Sequence, residues 1–516
     1  SYYMNNREIF SKFINGLLQP YREELQDESS EAISCAMLRE AKTGKFALLP
    51  HQKIVRDYLN VYTPYRGLLL YHGLGSGKTC TSIAIAEGLK TSNQVLILTP
   101  ASLRANYIKQ LKECGDSLYK KNQFWEFIDT KANPELLPVL AKNLSISEDY
   151  IRKNGGAWFV NIKKESNFDT IPTSDRQEID LQINEMIRSK YRFINYNGLR
   201  NSHLQTLTND FTVNPFDNKV VIIDEAHNFI SRIVNKLKKE ESLSMRLYEY
   251  LLSAQNARIV FLTGTPIINY PNEIGILFNI LRGYIKTWTF PLNIKSGQKV
   301  DADRLRKLFE KNNIYDYLDY KPSGGVLTIT RNPFGFISKL RKDSSKNIVN
   351  KGVQPSDKGA ISDAEFQKKI IQTLSKIDIE VFPVESFTTA HKALPDDLEG
   401  FKNMFIEGES GNVKNMNMFK RRILGLTSYF KSAQEKLLPK YVPDRDLRVI
   451  KIPMSDFQFG VYEEARADER RQETNNAKRR KKGGDKLYDE TTSTYRIFSR
   501  AFCNFAFPKP PGRPFP

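Results

Sequence analysis

Cysteine, histidine and long apolar stretches are scarce in this sequence of 516 residues. The four cysteines are spread along the chain without a CxxC pair, and only five histidines are present. This pattern argues against a structural zinc site and a disulfide framework, and it favours a reducing, intracellular setting. We find no run of about 18 uncharged apolar residues, which predicts no membrane span. The cysteines are Cys35, Cys80, Cys114 and Cys503.

Acidic residues are also in deficit. Lys and Arg number 78 against 59 Asp and Glu, which gives a formal net charge of +19. A positive field of this size attracts polyanions, so nucleic acid is favoured as a partner over an evenly spread solubility excess. The length suggests about three domains.

Short apolar runs alternate with longer amphipathic stretches between about residues 46 and 281. Buried strands are expected in this segment at 68–70, 95–98, 220–223 and 260–262. The alternation predicts an α/β fold, with a mainly parallel sheet and helices on both faces. Residues from about 115 to 190 are more polar and carry turn signals, which indicates an insertion between two core strands.

A glycine-rich loop follows the first of these predicted strands and precedes a helical stretch, which is the context of a phosphate-binding loop. His72 stands where the strict pattern has glycine. In such a loop Lys78 contacts the β- and γ-phosphates, and the Thr79 hydroxyl holds Mg²⁺. The residues predicted to bind ATP here are Gly73, Leu74, Gly75, Ser76, Gly77, Lys78 and Thr79.

An acidic box ends the predicted strand at 220–223 and reads Asp224-Glu225-Ala226-His227. Neighbouring side chains at a strand end point in different directions, so one carboxylate can serve a metal while the other faces water. We expect Asp224 to coordinate Mg²⁺ and Glu225 to orient and deprotonate the attacking water. His227 is expected to sense the γ-phosphate and report to the next motif, although a lone histidine is more often a satisfied core or cap residue.

With these two motifs in this order, the chain resembles the superfamily 2 helicases and translocases. Residues 48–52 resemble their adenine-recognition segment, which implies that Gln52 reads the adenine base. Residues 98–103, 193–197 and 261–266 resemble motifs Ia, Ib and III, which bind nucleic acid and couple it to the ATP site. The nucleic-acid and coupling residues implied are Thr99, Pro100, Asn195, Tyr196, Thr263, Gly264 and Thr265.

Further segments narrow the resemblance. Residues 262–269, 419–422, 438–440 and 454–458 resemble the Swi/Snf-like DEAH-box branch, and residues 71–77, 328–333 and 495–500 are similar to ATPases of large DNA viruses. The latter include poxvirus-type early transcription factors and transcription-termination ATPases. This resemblance implies DNA or RNA as partner, with a viral RNA polymerase or a second transcription-factor subunit. It implies a place in the host cytoplasm, in the viral factory, and in the virion.

The sequence pattern, together with the resemblance over residues 46–516, divides the chain into four segments. They are an N-terminal helical extension (1–45), a RecA-like ATP-binding domain (46–290), an intervening, partly helical segment (291–440) and the start of a second RecA-like lobe (441–516). The apolar residues Val449 to Pro453 are expected to form the first strand of that lobe.

Motifs IV to VI, which would supply an arginine finger, do not occur in the sequence, so weak or no unwinding by these residues alone is expected. Two other function classes stay open. One is an ATP-driven switch that acts on a protein partner without a nucleic-acid track, and the other is a non-catalytic scaffold.

Overall fold

A computed structural model gives the architecture of the chain. It describes residues 7–22, 48–60, 65–73, 75–89, 94–294, 300–309, 314–332, 335, 337–342, 348–353, 361–384, 387–408, 410–430, 442, 448–482 and 497–508. The chain divides into two compact units, Ser1–Lys436 and Leu437–Pro516.

A six-stranded parallel sheet organises the first unit. Its strand order is β15-β1-β7-β6-β2-β5. The predicted α/β fold with a mainly parallel sheet is confirmed, and each of the four expected strands is present. The strands are β1 (Gly67–His72), β2 (Gln94–Thr99), β5 (Tyr191–Asn195), β6 (Lys219–Ile223), β7 (Arg258–Leu262) and β15 (Thr427–Phe430).

Helices cover both faces of this sheet. Alternate residues such as Leu70, Ile97 and Ile222 join a core with two helices that follow β1 and β2. Their neighbours on the opposite face, such as Val221 and Phe261, are equally buried. Apolar side chains on both faces are the mark of a parallel sheet between two helical layers. The helices of this domain are α1 (Arg7–Leu18), α2 (Pro50–Tyr58), α3 (Lys78–Leu89), α4 (Arg104–Cys114), α8 (Asn201–Leu207), α9 (Ala226–Val234), α10 (Leu243–Ser253) and α11 (Asn272–Arg282).

Two insertions interrupt the sheet domain. The first falls in the predicted segment between residues 115 and 190, and an antiparallel pair of strands and three helices fill it. The second has its own apolar core around Trp288, Phe290 and Phe366. The first insertion holds β3 (Trp125–Asp129), α5 (Leu137–Leu144), α6 (Glu148–Asn154), β4 (Gly156–Val160) and α7 (Thr173–Lys190). The second region holds β8 (Ile285–Asn293), α12 (Ala302–Phe309), β9 (Tyr315–Lys321), β10 (Val326–Arg331), β11 (Ser338–Lys342), β12 (Ile348–Val353), α13 (Asp363–Ser375), β13 (Glu380–Val381), β14 (Thr388–His391), α14 (Leu398–Phe405) and α15 (Met416–Ile423).

Strand β15 lies inside the segment 291–440 that the sequence assigned to a region between two lobes. It pairs in parallel with β1, from Leu69↔Thr427 to His72↔Phe430. The chain therefore returns to the first sheet after the second insertion. Only about four residues form this strand, and a run this short carries little periodicity for a sequence-based prediction.

Two helices make up most of the described part of the second unit, with α16 (Asp456–Lys482) packed against α17 (Ile497–Asn504). The expected strand at Val449 to Pro453 is wrong, because residues 448–455 have no secondary structure. Val449, Ile450 and Ile452 are 74%, 78% and 83% exposed. A strand needs a partner for its backbone groups, and none of the described residues of this unit provides one.

Two scattered cysteines come together in the first unit. Cys80, in the first turn of α3, and Cys114, the last residue of α4, form a disulfide with a Cα–Cα distance of 5.5 Å. The expectation of no disulfide is therefore wrong for this pair. The two cysteines are 34 residues apart in sequence, and only the packing of α3 against α4 brings them together.

Across the described ranges, no helix combines the length and apolar character that crossing a membrane requires.

Candidate nucleotide site

The phosphate loop connects the end of β1 to the start of α3. Gly75 and Gly77 both have a φ of 75°, a left-handed conformation that favours glycine. The Ser76 hydroxyl donates to the Gly73 carbonyl at 2.8 Å and closes the bend. Backbone N–H groups at the start of α3 face the same bend, as anion binding at a helix N-terminus requires. Leu74, predicted to belong to the loop, lies outside the described residues.

Lys78 folds back over this loop. Its Nζ donates to the carbonyls of His72 and Gly73 at 3.0 and 3.2 Å. Burial lowers the pKa of the Lys78 ammonium, while the nearby charges of Glu225 and Asp224 raise it. The predicted phosphate ligand and the predicted acid pair therefore share one site.

Gln52, predicted to read adenine, is buried against the phosphate loop. Its Nε2 donates to the Gly77 carbonyl at 3.3 Å, and its Oε1 accepts the Leu49 N–H at 3.0 Å. The side chain thus ties the start of α2 to the loop. Recognition of adenine by Gln52 stays a prediction.

The acidic box forms the junction between β6 and α9. Glu225 has a φ of 48°, a strained backbone for a residue with a Cβ, and such strain concentrates at functional sites. Asp224 accepts the Glu225 N–H at 2.9 Å. Burial raises the pKa of the Asp224 carboxyl to about 6; the hydrogen bond from the Glu225 N–H opposes this rise, the charge of Glu225 adds to it, and the charge of Lys78 opposes it. A carboxylate deprived of water in this way is a suitable ligand for a divalent cation.

His227 joins the acidic box to the residues after β7. Its Nδ1 lies 2.8 Å from the Thr263 Oγ1 and 3.4 Å from the Thr265 Oγ1. The same nitrogen lies 3.4 Å from a carboxylate oxygen of Glu225. His227 is thus in contact with both motifs that it was expected to connect.

Tyr196, predicted to bind nucleic acid or to couple it to the ATP site, is buried beside the acidic box. It is 1% exposed and packs edge-on against Phe229, so no base can stack on it in this structure. Its hydroxyl lies 3.3 Å from the carbonyls of both Asp224 and Glu225. Tyr196 therefore supports the strained turn of the acidic box.

The remaining predicted residues lie at the carboxyl edge of the sheet, where ligands bind in open α/β folds. Thr99 ends β2 and is buried, with Pro100 after it, whereas Asn195 ends β5 and is exposed. Gly264 is exposed just beyond β7. These residues share one edge with the phosphate loop, but contact with nucleic acid stays a prediction.

Sequence patterns gave no signal for the contribution of β15 to the site. The Gly73 N–H donates to the Phe430 carbonyl at 3.0 Å. His72 Nε2 lies 2.8 Å from the Ser428 Oγ, more than 350 residues away along the chain. His72, treated in the sequence as a departure from the loop pattern, is therefore a buried link to another strand.

The segment that holds this site is similar to known proteins. Residues 45–268 match the family described as the Type III restriction enzyme, res subunit (ResIII). The chain is 31% identical over 46% of its length to the putative ATP-dependent RNA helicase R563 of Acanthamoeba polyphaga mimivirus, and covers 33% of that protein. It is 24% identical over 58% of its length to the termination factor NPH-I homolog of African swine fever virus, covering 34%.

A broader match covers 90% of the chain, at 24% identity, with the putative ATP-dependent RNA helicase R350 of the same mimivirus, of which it spans 37%. The chain thus spans about a third of the length of these relatives. A SWI2/SNF2 ATPase core from Sulfolobus solfataricus, solved with double-stranded DNA, is 16% identical and covers 43% of this chain and 33% of its own, with a TM-score of 0.22. The fold assignment therefore rests on the sheet itself.

The parallel sheet, the phosphate loop and the acidic box together form a candidate nucleotide site, and the segment that holds it is similar to the ResIII family. The chain is similar to putative helicases and a termination factor homolog of large DNA viruses. The resemblance predicted from its motifs is confirmed at this level.

Proposed function

We propose that this chain hydrolyses ATP with Mg²⁺ and couples hydrolysis to movement along DNA or RNA. The observation that carries the proposal is that Lys78, after β1, and the acid pair Asp224 and Glu225, after β6, lie at the carboxyl edge of one parallel sheet. His227, which touches both Glu225 and Thr263, gives this site a contact toward the neighbouring motif.

Each side chain has a defined task in this proposal. Lys78 exchanges its two loop carbonyls for phosphate oxygens and neutralises their charge. Thr79 and Asp224 hold Mg²⁺, which offsets negative charge on the phosphates. Glu225 orients the attacking water and accepts its proton.

Nucleic acid is the proposed track. The net charge of +19 supports binding to a phosphate backbone, and Thr99, Asn195 and Gly264 occupy the same sheet edge as the ATP site. Similarity to a viral termination factor supports a role in viral transcription, in initiation or termination. A viral RNA polymerase or a second transcription-factor subunit would then be a partner, in the host cytoplasm or the virion.

Phosphate release from Mg-ATP tests the proposal, measured with and without single-stranded and duplex DNA and RNA. Lys78→Ala and Glu225→Gln should each lower kcat by about a hundredfold or more. Lys131→Ala, which removes an exposed lysine of the first insertion, should leave it unchanged and serves as the matched control.

Stimulation by nucleic acid should decline steeply as salt rises, because bound phosphates release counterions. Turnover that no nucleic acid stimulates would instead favour an ATP-driven switch acting on a protein partner. Wild-type turnover in Lys78→Ala and Glu225→Gln would refute the catalytic assignment.

A further inference from the structure

Strand β15 forms part of the frame around the phosphate loop. Its backbone continues the sheet beside β1, with the Leu69 N–H donating to the Leu426 carbonyl at 2.8 Å. The ladder ends where the Gly73 N–H donates to the Phe430 carbonyl at 3.0 Å. The first glycine of the loop is therefore held by a strand that follows the second insertion.

Side chains of β15 add two further links. The Phe430 ring stacks on the His51 ring with centroids 3.9 Å apart and planes 9° apart. His51 Nε2 lies 3.1 Å from the Ser76 carbonyl, in the middle of the loop. Burial lowers the pKa of His51, and burial together with His51 and Lys78 lowers that of His72 to about 4.

Burial disfavours the charged form of both imidazoles. In His51 the protonated nitrogen is Nε2, because only an N–H can donate to the Ser76 carbonyl. The Ser428 hydroxyl and His72 Nε2 form the second link at 2.8 Å. Strand β15 therefore holds the phosphate loop at three points. Hydrogen bonds reach residues 72 and 73 directly, and the His51 ring, stacked on Phe430, contacts residue 76.

We propose that Phe430 and Ser428 are positioning residues, which hold the phosphate loop ready for the nucleotide and so set its affinity for ATP. The proposal rests on the proposed function and deepens it. Neither residue faces the acid pair in any contact of the described chain, so the chemical step should not depend on them directly. Binding should weaken when either is lost, because the loop must then be ordered at the expense of binding energy.

The alternation of β15 supplies a matched control. Ser428 and Phe430 are half-buried on the side of the loop. Tyr429 between them is 64% exposed, and its ring is tilted against that of Tyr71. Tyr429→Ser changes the same strand without touching the phosphate loop. Phe430→Tyr keeps an aromatic ring for His51, and Phe430→Leu removes it.

Three measurements on the purified protein test the proposal. They are the Kd of a fluorescent, non-hydrolysable ATP analogue with Mg²⁺, the separate values of KM and kcat, and amide hydrogen exchange of residues 68–77 without nucleotide. Phe430→Leu and Ser428→Ala should each raise Kd and KM about three- to tenfold. The same variants should leave kcat within about twofold and speed exchange in the loop.

Phe430→Tyr and Tyr429→Ser should match the wild type in all three measurements. A fall in kcat at unchanged Kd, or an equal effect of Tyr429→Ser, would overturn the proposal. Ser428→Ala removes a single oxygen and keeps the test valid if Phe430→Leu unfolds the protein. If the wild type neither binds nor hydrolyses ATP, the proposed function fails, and exchange alone then decides whether β15 orders the loop.

Discussion

His227 Nδ1 lies 2.8 Å from the Thr263 Oγ1, across the gap between two neighbouring strands of the sheet. The same nitrogen lies 3.4 Å from the Glu225 carboxylate. One imidazole nitrogen therefore faces both the proposed catalytic acid and the start of the next motif. A change in the position of Glu225 on hydrolysis would alter the hydrogen bond to Thr263 directly.

This contact predicts strong coupling between His227 and Thr263. His227→Ala and Thr263→Val should each reduce stimulation of turnover by nucleic acid about fivefold or more, while basal turnover falls much less. The double variant should be no worse than the poorer single one, because both substitutions remove the same hydrogen bond. Thr265→Ala, which removes only the longer 3.4 Å contact, should have a smaller effect. If the loss of stimulation in the double variant equals the product of the two single losses in steady-state assays, the two residues are not coupled.

Asp224→Asn should stabilise the protein in the absence of Mg²⁺ and nucleotide while abolishing turnover. Burial raises the pKa of Asp224 to about 6, above its value of about 3.9 in an unfolded chain. The folded protein therefore holds this proton more tightly, and that stabilisation is present below about pH 4 and lost as pH rises through about 6. Asparagine keeps an acceptor for the Glu225 N–H and removes the buried charge.

Urea unfolding between pH 4 and pH 8 measures this difference. The gain of Asp224→Asn over the wild type should grow from pH 4 to about pH 7 and then stay constant, reaching on the order of 2 kcal/mol. Adding Mg²⁺ should narrow the difference at high pH, because a bound cation stabilises the wild-type carboxylate. A gain that is the same at every pH would show that charge burial is not its cause.

Tyr196→Phe should lower kcat about three- to tenfold, because the acidic box loses the hydroxyl that lies 3.3 Å from both of its carbonyls. The Kd for nucleic acid should change less than about twofold, since the ring is buried. Asn195→Ala, at the exposed neighbouring position, should do the reverse and weaken nucleic-acid binding. Fluorescence anisotropy and phosphate release, measured side by side, distinguish the two residues. Weaker nucleic-acid binding by Tyr196→Phe than by Asn195→Ala would restore Tyr196 as a direct contact.

Reduction of the Cys80–Cys114 disulfide should lower the free energy of unfolding by about 3–4 kcal/mol, on the chain-entropy estimate for a loop of this length. Thiol titration of the denatured protein should find two more thiols after reduction than before. Cys503→Ser, which removes an exposed free thiol, should leave the effect of reductant unchanged. Equal thiol counts before and after reduction would contradict the pairing.

Local patterns allowed much of the site to be predicted. The glycines of the phosphate loop, Lys78 at the start of a helix and the acid pair after a buried strand each have a short-range sequence signature, because their backbone geometry is set by adjacent residues. Their meeting at one sheet edge follows from the parallel arrangement of the strands. The strand at 449–453 was wrongly predicted by the same kind of reasoning, because an apolar run alone does not supply a pairing partner.

The sequence by itself determined the kind of chemistry: a glycine bend, a lysine and two carboxylates, each fixed by its immediate neighbours. Tertiary structure alone decided which distant residues hold that chemistry in place. The Phe430 ring stacks on the His51 ring, the Tyr196 hydroxyl contacts the acidic box, and Cys80 forms a disulfide with Cys114. Such contacts depend on how helices and strands pack across hundreds of residues, and no local spacing encodes them.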